Sequence, residues 1–262
     1  MMAALLLLLL GCSSFPGLLT VQINQRPIIG ILAQETLDLY RYGKTYIAAP
    51  YVKYLESAGC RVVPIRLNLT HEEYERIFHS INGILFPGGA GNLKTSAFAK
   101  AAKTFYELAL KAFDAGDHFP IWGTCLGLQL LTMFTAGKDL LINTDTENIA
   151  LPLNLTNAAA SSKMFWDFPP DVYKALSTEP LTGNFHHFSI SVQAFLEDEK
   201  LSKFYSILST NNDRKSVEFV STMEARKNFH HFPSSEEEAA ALIYNYSPRY
   251  VPTSDYIQIY FF

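Results

Sequence analysis

Short runs of apolar residues alternate along the chain with stretches whose apolar positions recur every three or four residues. Ile28, Ile29, Ile31 and Leu32 predict a buried strand over Pro27–Leu32. Ile47, Tyr51, Tyr54, Leu55 and Ala58 predict a helix over Thr45–Ala58, with Gly59 as its stop. Arg61–Ile65 reads as the next strand. Thr70-His71-Glu72-Glu73 has the form of a capping box and opens a helix to about His79. Gly83–Phe86 is a third strand and Phe119–Trp122 a fourth. Between them Phe98, Ala102, Phe105, Ala109 and Phe113 fall on one face of a helix over Ser96–Ala115. Leu126–Ala136 is helical again, closed by Gly137.

Strands this short and this uniformly apolar are buried on both sides. Their alternation with helices predicts an α/β fold, a mostly parallel central sheet with helices on both faces. After Gly137 the pattern changes. Leu140–Ile142 and Ile149–Leu155 are β-like. Phe204–Thr210 and Val217–Ser221 predict a hairpin closed by Asn211-Asn212-Asp213, and Glu236–Tyr246 predicts a helix. No internal repeat or low-complexity linker divides the chain.

Composition narrows the function classes. With 262 residues, 48% of them hydrophobic, the chain can bury a sizeable core, which excludes disorder for most of it. A net charge of -4 leaves no electrostatic footprint for nucleic acid. No apolar run reaches the length of a membrane span. Three cysteines are too few for a disulfide scaffold, and an odd count leaves at least one thiol unpaired.

Residues 1–25 carry no charged side chain. The apolar block Ala3–Leu10, followed by Gly11, Cys12, Ser13 and Ser14, predicts a secretory signal peptide over 1–22, although no basic residue precedes the block. A buried N-terminal segment is the alternative, and Leu9-Leu10-Gly11-Cys12 also has the form of a lipoprotein cleavage box. Removal of the leader takes Cys12 with it and leaves Cys60 and Cys125. Asn68-Leu69-Thr70 and Asn154-Leu155-Thr156 are glycosylation sequons; a third, Asn245-Tyr246-Ser247, is followed by Pro248, which disfavours it. Leader and sequons together predict the secretory pathway, with a lysosomal or extracellular destination.

The chemistry centres on Gly123-Thr124-Cys125-Leu126-Gly127, which follows a strand and opens a helix. This is a nucleophile elbow with cysteine in the nucleophile's place. Its glycines permit a tight strand-to-helix turn that lifts the thiol above the sheet. The helix N-terminus is expected to lower the thiol pKa, and the Leu126 N–H to face a developing oxyanion. Phe86-Pro87-Gly88-Gly89 ends another strand, and the Gly89 N–H is the candidate second oxyanion donor, with Gly88 and Gly89 lining a substrate site. The bland alternatives are an inert buried cysteine and a plain tight turn.

A thiol nucleophile needs a base, usually histidine, and the chain has seven. His71 and His79 read as solvated. His118 begins the strand whose far end carries Cys125, roughly 13 Å away. His186 and His187 lie in an aromatic stretch that borders the cleft, and His186 is a candidate substrate-binding residue. His230 and His231 sit in a polar context. No cysteine or carboxylate stands at ligand spacing from either pair, so no metal and no cofactor is expected. Cys60 follows a helix stop at a strand edge and reads as structural.

Several long strings carry a resemblance. They include Arg26-Pro27-Ile28-Ile29-Gly30-Ile31, Tyr51-Val52-Lys53-Tyr54-Leu55-Glu56-Ser57-Ala58-Gly59, Ile81–Gly89, Trp122–Leu128, Asn184-Phe185-His186 and Glu218–Glu224. On them the chain resembles the γ-glutamyl hydrolase family, of the class I glutamine amidotransferase-like fold. The resemblance implies a cysteine peptidase that removes γ-linked glutamates from folyl and antifolyl polyglutamates, works in lysosomes or after secretion, forms a homodimer and uses no metal. It assigns 23–224 to the hydrolase domain and 225–262 to a C-terminal tail segment.

One departure matters for activity. After the strand ending near Glu224, the family pattern continues into a further strand ending in Trp-His-Pro-Glu, whose histidine is the base and whose glutamate orients it. Here Glu224 is followed directly by Ala225-Arg226-Lys227-Asn228-Phe229-His230-His231-Phe232, which resembles the family's tail. By this comparison the last strand–helix unit is missing. His230 does not replace the base, because no apolar strand precedes it and Pro233 and Glu236 do not reproduce the His-Pro-Glu spacing. The expectation is a γ-glutamyl hydrolase chain of poor activity. Three alternatives stay open: an active enzyme with His186 or His187 as base, a non-catalytic variant that binds substrate or pairs with full-length subunits, and a glutamine amidotransferase subunit.

Overall fold

The computed structural model describes residues 24, 26–37, 40–165, 167–224, 234–252 and 258–262. The predicted leader, 1–22, and the segment 225–233, with His230 and His231, lie outside the described residues. The first half runs β1 (Ile28–Leu32), β2 (Gln34–Glu35), β3 (Thr45–Ala48), α1 (Ala49–Ser57), β4 (Arg61–Ile65), α2 (His71–Phe78), β5 (Ile84–Phe86), α3 (Ala97–Asp114), β6 (Ile121–Gly123) and α4 (Leu126–Ala136).

β4, β1, β5 and β6 form a sheet in that order, and every pairing in it is parallel. The period of two sends successive side chains to opposite faces. Ile31, Val62 and Leu85 pack on one face with Val52 and Leu55 of α1. Ile28, Leu32, Val63, Ile65, Ile84 and Phe86 pack on the other with Phe78, Phe98, Phe105, Leu126 and Leu130 from α2, α3 and α4. Both faces are covered, as the apolar runs predict. Phe78 stacks on Phe119 with ring centroids 4.0 Å apart, and Tyr74 meets the edge of Phe105 at 5.5 Å. Thr70 forms the capping box foreseen for α2: its side chain accepts from the Glu73 N–H while the Glu73 carboxylate accepts from the Thr70 N–H.

The strand order fixes where a site can form. The chain passes from β1 to β4 on one side, then returns to β5 and β6 on the other. The reversal lies between β1 and β5, and ligands of open α/β sheets bind at the carboxyl ends beside such a switch point.

The second half adds β7 (Leu141–Asn143), β8 (Ile149–Leu151), β9 (Asn154–Leu155), α5 (Pro170–Thr178), β10 (Thr182–Asn184), β11 (Phe188–Ile190), α6 (Val192–Glu197), α7 (Glu199–Phe204), β12 (Ser209–Asn212) and β13 (Glu218–Thr222). The expected hairpin exists as β12 and β13, which pair antiparallel, but Phe204 belongs to α7 rather than to a strand. Asp198 starts that helix by accepting from the Lys200 and Leu201 N–H groups. β11 pairs with β7 and rests on α4, where the Gln129 side chain donates to the Phe188 carbonyl.

Three further expectations change. The helix expected over Thr45–Ala58 begins at Ala49, because Pro50 lacks an N–H and fits only the first turn. Thr45–Ala48 is instead a strand between β2 and a strand from the chain's far end. Phe113 is 42% exposed rather than buried, since the last turn of α3 runs beyond the packed face. The helix expected over Glu236–Tyr246 splits into α8 (Ser235–Ala241) and a 3-10 turn at Ile243–Asn245. The rest of the tail is not peripheral. β14 (Arg249–Tyr250) pairs with β15 (Gln258–Phe261), and β15 pairs with β3, burying Ile259 completely.

Candidate active site

Cys125 stands where the carboxyl end of β6 turns into α4, beside the switch point. Its backbone has φ 51° and ψ -109°, an uncommon conformation for a residue with a side chain. The turn holds it there. The Thr124 N–H donates to the Phe86 carbonyl at 3.0 Å, the Gly127 N–H to the Thr124 carbonyl at 2.9 Å and the Gln129 N–H to the Cys125 carbonyl at 3.0 Å. A Cβ on Gly127 would lie 2.1 Å from the Phe86 carbonyl oxygen, and one on Gly123 2.6 Å from the Gly127 carbonyl carbon. The two glycines of the elbow therefore let the ends of β5 and β6 and the first turn of α4 touch backbone to backbone.

The thiol faces two backbone donors, the N–H groups of Leu126 and Gly89. Both stabilise a thiolate, Leu126 from the first turn of α4 and Gly89 from the loop that follows β5. Burial outweighs them, and the thiol pKa is raised rather than lowered. The expectation of a depressed pKa is thus corrected: desolvation is the larger effect.

Gly88 and Gly89 form the opposite wall. The Gly88 N–H donates to the Tyr51 hydroxyl at 2.9 Å, and the Gly88 carbonyl accepts from the Gln34 side-chain amide at 2.6 Å. A Cβ on Gly88 would stand 3.0 Å from that of Cys125, and one on Gly89 1.8 Å from Gln34 Oε1. The sequence marks neither Gln34 nor Tyr51 as a site residue; the spacing of Tyr51 places it on a helical face. The signal for Gln34 is a polar residue set two positions beyond a buried parallel strand.

His186 and His187 make their described bonds to groups other than the thiol. His186 Nε2 meets the Asn184 side-chain oxygen at 3.1 Å, and Nδ1 meets the hydroxyls of Thr146 and Ser189, each at 3.0 Å. Asn184 Nδ2 donates to the Thr182 carbonyl at 3.0 Å, which turns its oxygen toward the imidazole. Burial holds the pKa of His186 below the ordinary histidine value. Its ring also meets the edge of Phe219, 5.4 Å between centroids. His187 is exposed and lies 3.3 Å from the Glu147 carboxylate. Among the described residues, no imidazole nitrogen is hydrogen-bonded to the Cys125 thiol.

Beyond β6 lies a cleft of about 70 Å³, lined by Trp122, Gly123, Leu128 and Tyr205 and by the chain leaving β13 at Met223 and Glu224. Among the described residues β6 pairs with β5 alone. Asn68 and Asn154 are both exposed. Cys60 is half-buried, and burial raises its pKa. No group of three or more histidine, cysteine or carboxylate side chains that could hold a metal ion occurs among the described residues, and no described helix is long and apolar enough to cross a membrane.

Known proteins supply an independent comparison. Residues 27–230 match the family model of Peptidase C26. The γ-glutamyl hydrolase of Homo sapiens is 45% identical over 287 aligned positions, covering 91% of this chain and 90% of the relative. That of Rattus norvegicus is 41% identical over 312 positions, covering 100% of this chain and 98% of the relative. Since the chain has 262 residues, about 50 of those 312 positions carry none of them. Among solved structures, the glutaminase domain of Trypanosoma brucei CTPS with bound acivicin aligns at a TM-score of 0.46 and 16% identity, covering 76% of this chain and 81% of that one. By the family match and by identity over nine-tenths of both chains, this protein belongs to the γ-glutamyl hydrolase family, Peptidase C26, a family of hydrolases.

Proposed function

We propose that this chain carries the thiol half of a γ-glutamyl hydrolase site, with Cys125 as nucleophile and the N–H groups of Leu126 and Gly89 as the oxyanion hole. The observation that carries the reading is the geometry at Cys125: a strained elbow residue at a helix N-terminus, its sulfur facing two converging backbone donors. In the reaction the Cys125 thiolate adds to the carbonyl of a γ-glutamyl amide, forming the C–S bond. The two N–H groups hold the resulting oxyanion. Collapse breaks the C–N bond, the departing amine takes a proton, and water hydrolyses the thioester. The substrates are poly-γ-glutamyl folates and antifolates, as the family resemblance implies, with Gly88 and His186 bordering the bound chain.

The same site predicts slow turnover. The thiol must lose a proton and the leaving amine must gain one, yet the imidazole of His186 is committed to Thr146, Ser189 and Asn184. The segment meant to bring a base is, on this reading, among the aligned positions that carry no residue here. Two observations support placing it after Glu224. The chain leaves β13 there, lining the cleft next to β6, and among the described residues β6 pairs with β5 alone. Loss of the base from a nucleophile–base pair costs about three or more orders of magnitude in rate. The exposed sequon asparagines Asn68 and Asn154 are compatible with passage through the secretory pathway.

Alkylation with iodoacetamide, mapped by peptide mass spectrometry, tests the site. Cys125 is expected to label slowly at neutral pH and faster as pH rises, and a poly-γ-glutamyl peptide is expected to protect it. Labelling that the peptide leaves unchanged would overturn the assignment.

A further inference from the structure

We propose that Gln34 is a positioning residue for the oxyanion hole: its side-chain amide fixes the peptide plane that presents the Gly89 N–H. The inference rests on the reading of Cys125 as nucleophile and adds to it a residue that never touches substrate.

The Gly88 carbonyl and the Gly89 N–H belong to one peptide group. That group is planar and trans, so the two bonds point in opposite directions. Whatever holds the carbonyl therefore aims the N–H. Gln34 Nε2 holds it at 2.6 Å from a buried position, and the Gly89 N–H faces the Cys125 sulfur on the other side. A neighbouring bond, from the Gly88 N–H to the Tyr51 hydroxyl at 2.9 Å, anchors the preceding peptide. Without such clamps a Pro-Gly-Gly turn has many conformations, because glycine tolerates most of backbone space.

Gln34 is itself rigidly mounted. Its strand residue pairs with Tyr46, and the Ala33 N–H before it donates to the Ile65 carbonyl at 2.9 Å. The carboxylate of Glu35 after it accepts from the Ala97 N–H at 2.9 Å, at the start of α3. The contact also explains why Gly89 is glycine. All three atoms nearest its would-be Cβ belong to the Gln34 side chain, at 1.8 to 2.8 Å. The same amide that aims the N–H excludes a side chain there.

The test uses the full chain and two reactions of Cys125. Acylation by a p-nitrophenyl ester builds charge on a carbonyl oxygen, yet its leaving group needs no proton, so the reaction does not require the absent base. Alkylation by iodoacetamide builds no such charge. In Gln34→Met and Gln34→Ala, acylation per thiolate is expected to fall at least about tenfold, toward the roughly hundredfold loss seen when an oxyanion donor is removed. Alkylation at saturating pH is expected to stay within about twofold, while its pH midpoint moves up because the thiolate has lost a donor. Gly89→Ala is expected to slow acylation in the wild-type background and to add little in Gln34→Ala, where the obstructing side chain is gone. Folding of each variant is checked by circular dichroism. If Gln34→Met does not fold, the Gly89→Ala comparison decides. Wild-type acylation rates and an unmoved pH midpoint in the Gln34 variants overturn the proposal. A p-nitrophenolate burst that survives Cys125→Ser overturns instead the nucleophile reading beneath it.

Discussion

Replacing Gly127 with alanine tests the reason the elbow takes its form. The added Cβ would sit 2.1 Å from the Phe86 carbonyl oxygen and 2.8 Å from the carbon of the same carbonyl. Ordinary contacts begin at 3.4 Å, so the shortfall is about 1.3 Å. Both obstructing atoms are backbone, at the end of a central strand, and no rotamer change relieves the clash. Either β5 or the first turn of α4 must move. Overpacking of this kind costs typically 1–3 kcal/mol, and a backbone obstruction belongs near the top of that range, about 3 kcal/mol. At about 2–4 °C per kcal/mol for a chain of this size, the melting temperature should drop by roughly 6–12 °C. Gly59→Ala is the control: no atom lies within 4 Å of its Cβ, and only its φ of 82° opposes the change. That strain costs about 1–2 kcal/mol. Urea denaturation followed by tryptophan fluorescence gives both values, and Cys125 alkylation reports whether the Leu126 N–H has shifted. A Gly127→Ala variant as stable as Gly59→Ala would refute the claim that the elbow is a backbone contact between β5 and α4.

Other outcomes follow from the same contacts. His186→Ala is expected to destabilise the β10–β11 region, because Asn184, Thr146 and Ser189 lose their shared partner, and to leave Cys125 alkylation nearly unchanged; a collapse of alkylation would restore His186 as the base. Thr70→Ala removes the capping bond from the Glu73 N–H to the Thr70 hydroxyl, leaves the bond from the residue-70 N–H to the Glu73 carboxylate, and should cost about 0.5–2 kcal/mol by denaturant midpoint. Burial raises the pKa of both Cys60 and Cys125, so the folded chain holds these protons more tightly than the unfolded chain. That stabilisation is complete below the ordinary cysteine pKa of about 8.5 and is lost as pH rises through the folded values. The urea midpoint should therefore fall across this window, and less steeply when both cysteines are replaced by alanine.

The parallel sheet was legible because its signals are local. Ile28–Leu32 and Arg61–Ile65 are apolar on both faces and short, and Thr70 with Glu73 caps a helix within four residues. The elbow was legible for the same reason: Gly123 and Gly127 sit in one pentapeptide with Cys125. What escaped depends on distant pairing. β15 finds its partner β3 some 210 positions earlier, so nothing near Gln258–Phe261 announces a strand. Gln34 lies 54 positions from Gly88, and only the switch point between β1 and β5 brings them together. The direction of the Cys125 pKa escaped for another reason. The helix N-terminus is visible in sequence, whereas the degree of burial that overrides it is set by packing from β5, β6 and α4 together.

Turnover of a folyl poly-γ-glutamate, measured side by side for this chain, its Cys125→Ser variant and the human relative, bears most directly on a thiol site without its base. The expected rate is lower than the human enzyme's by about three or more orders of magnitude, with the residue of activity lost in Cys125→Ser. A rate within tenfold of the human enzyme, or residual hydrolysis that persists without the thiol, would contradict it.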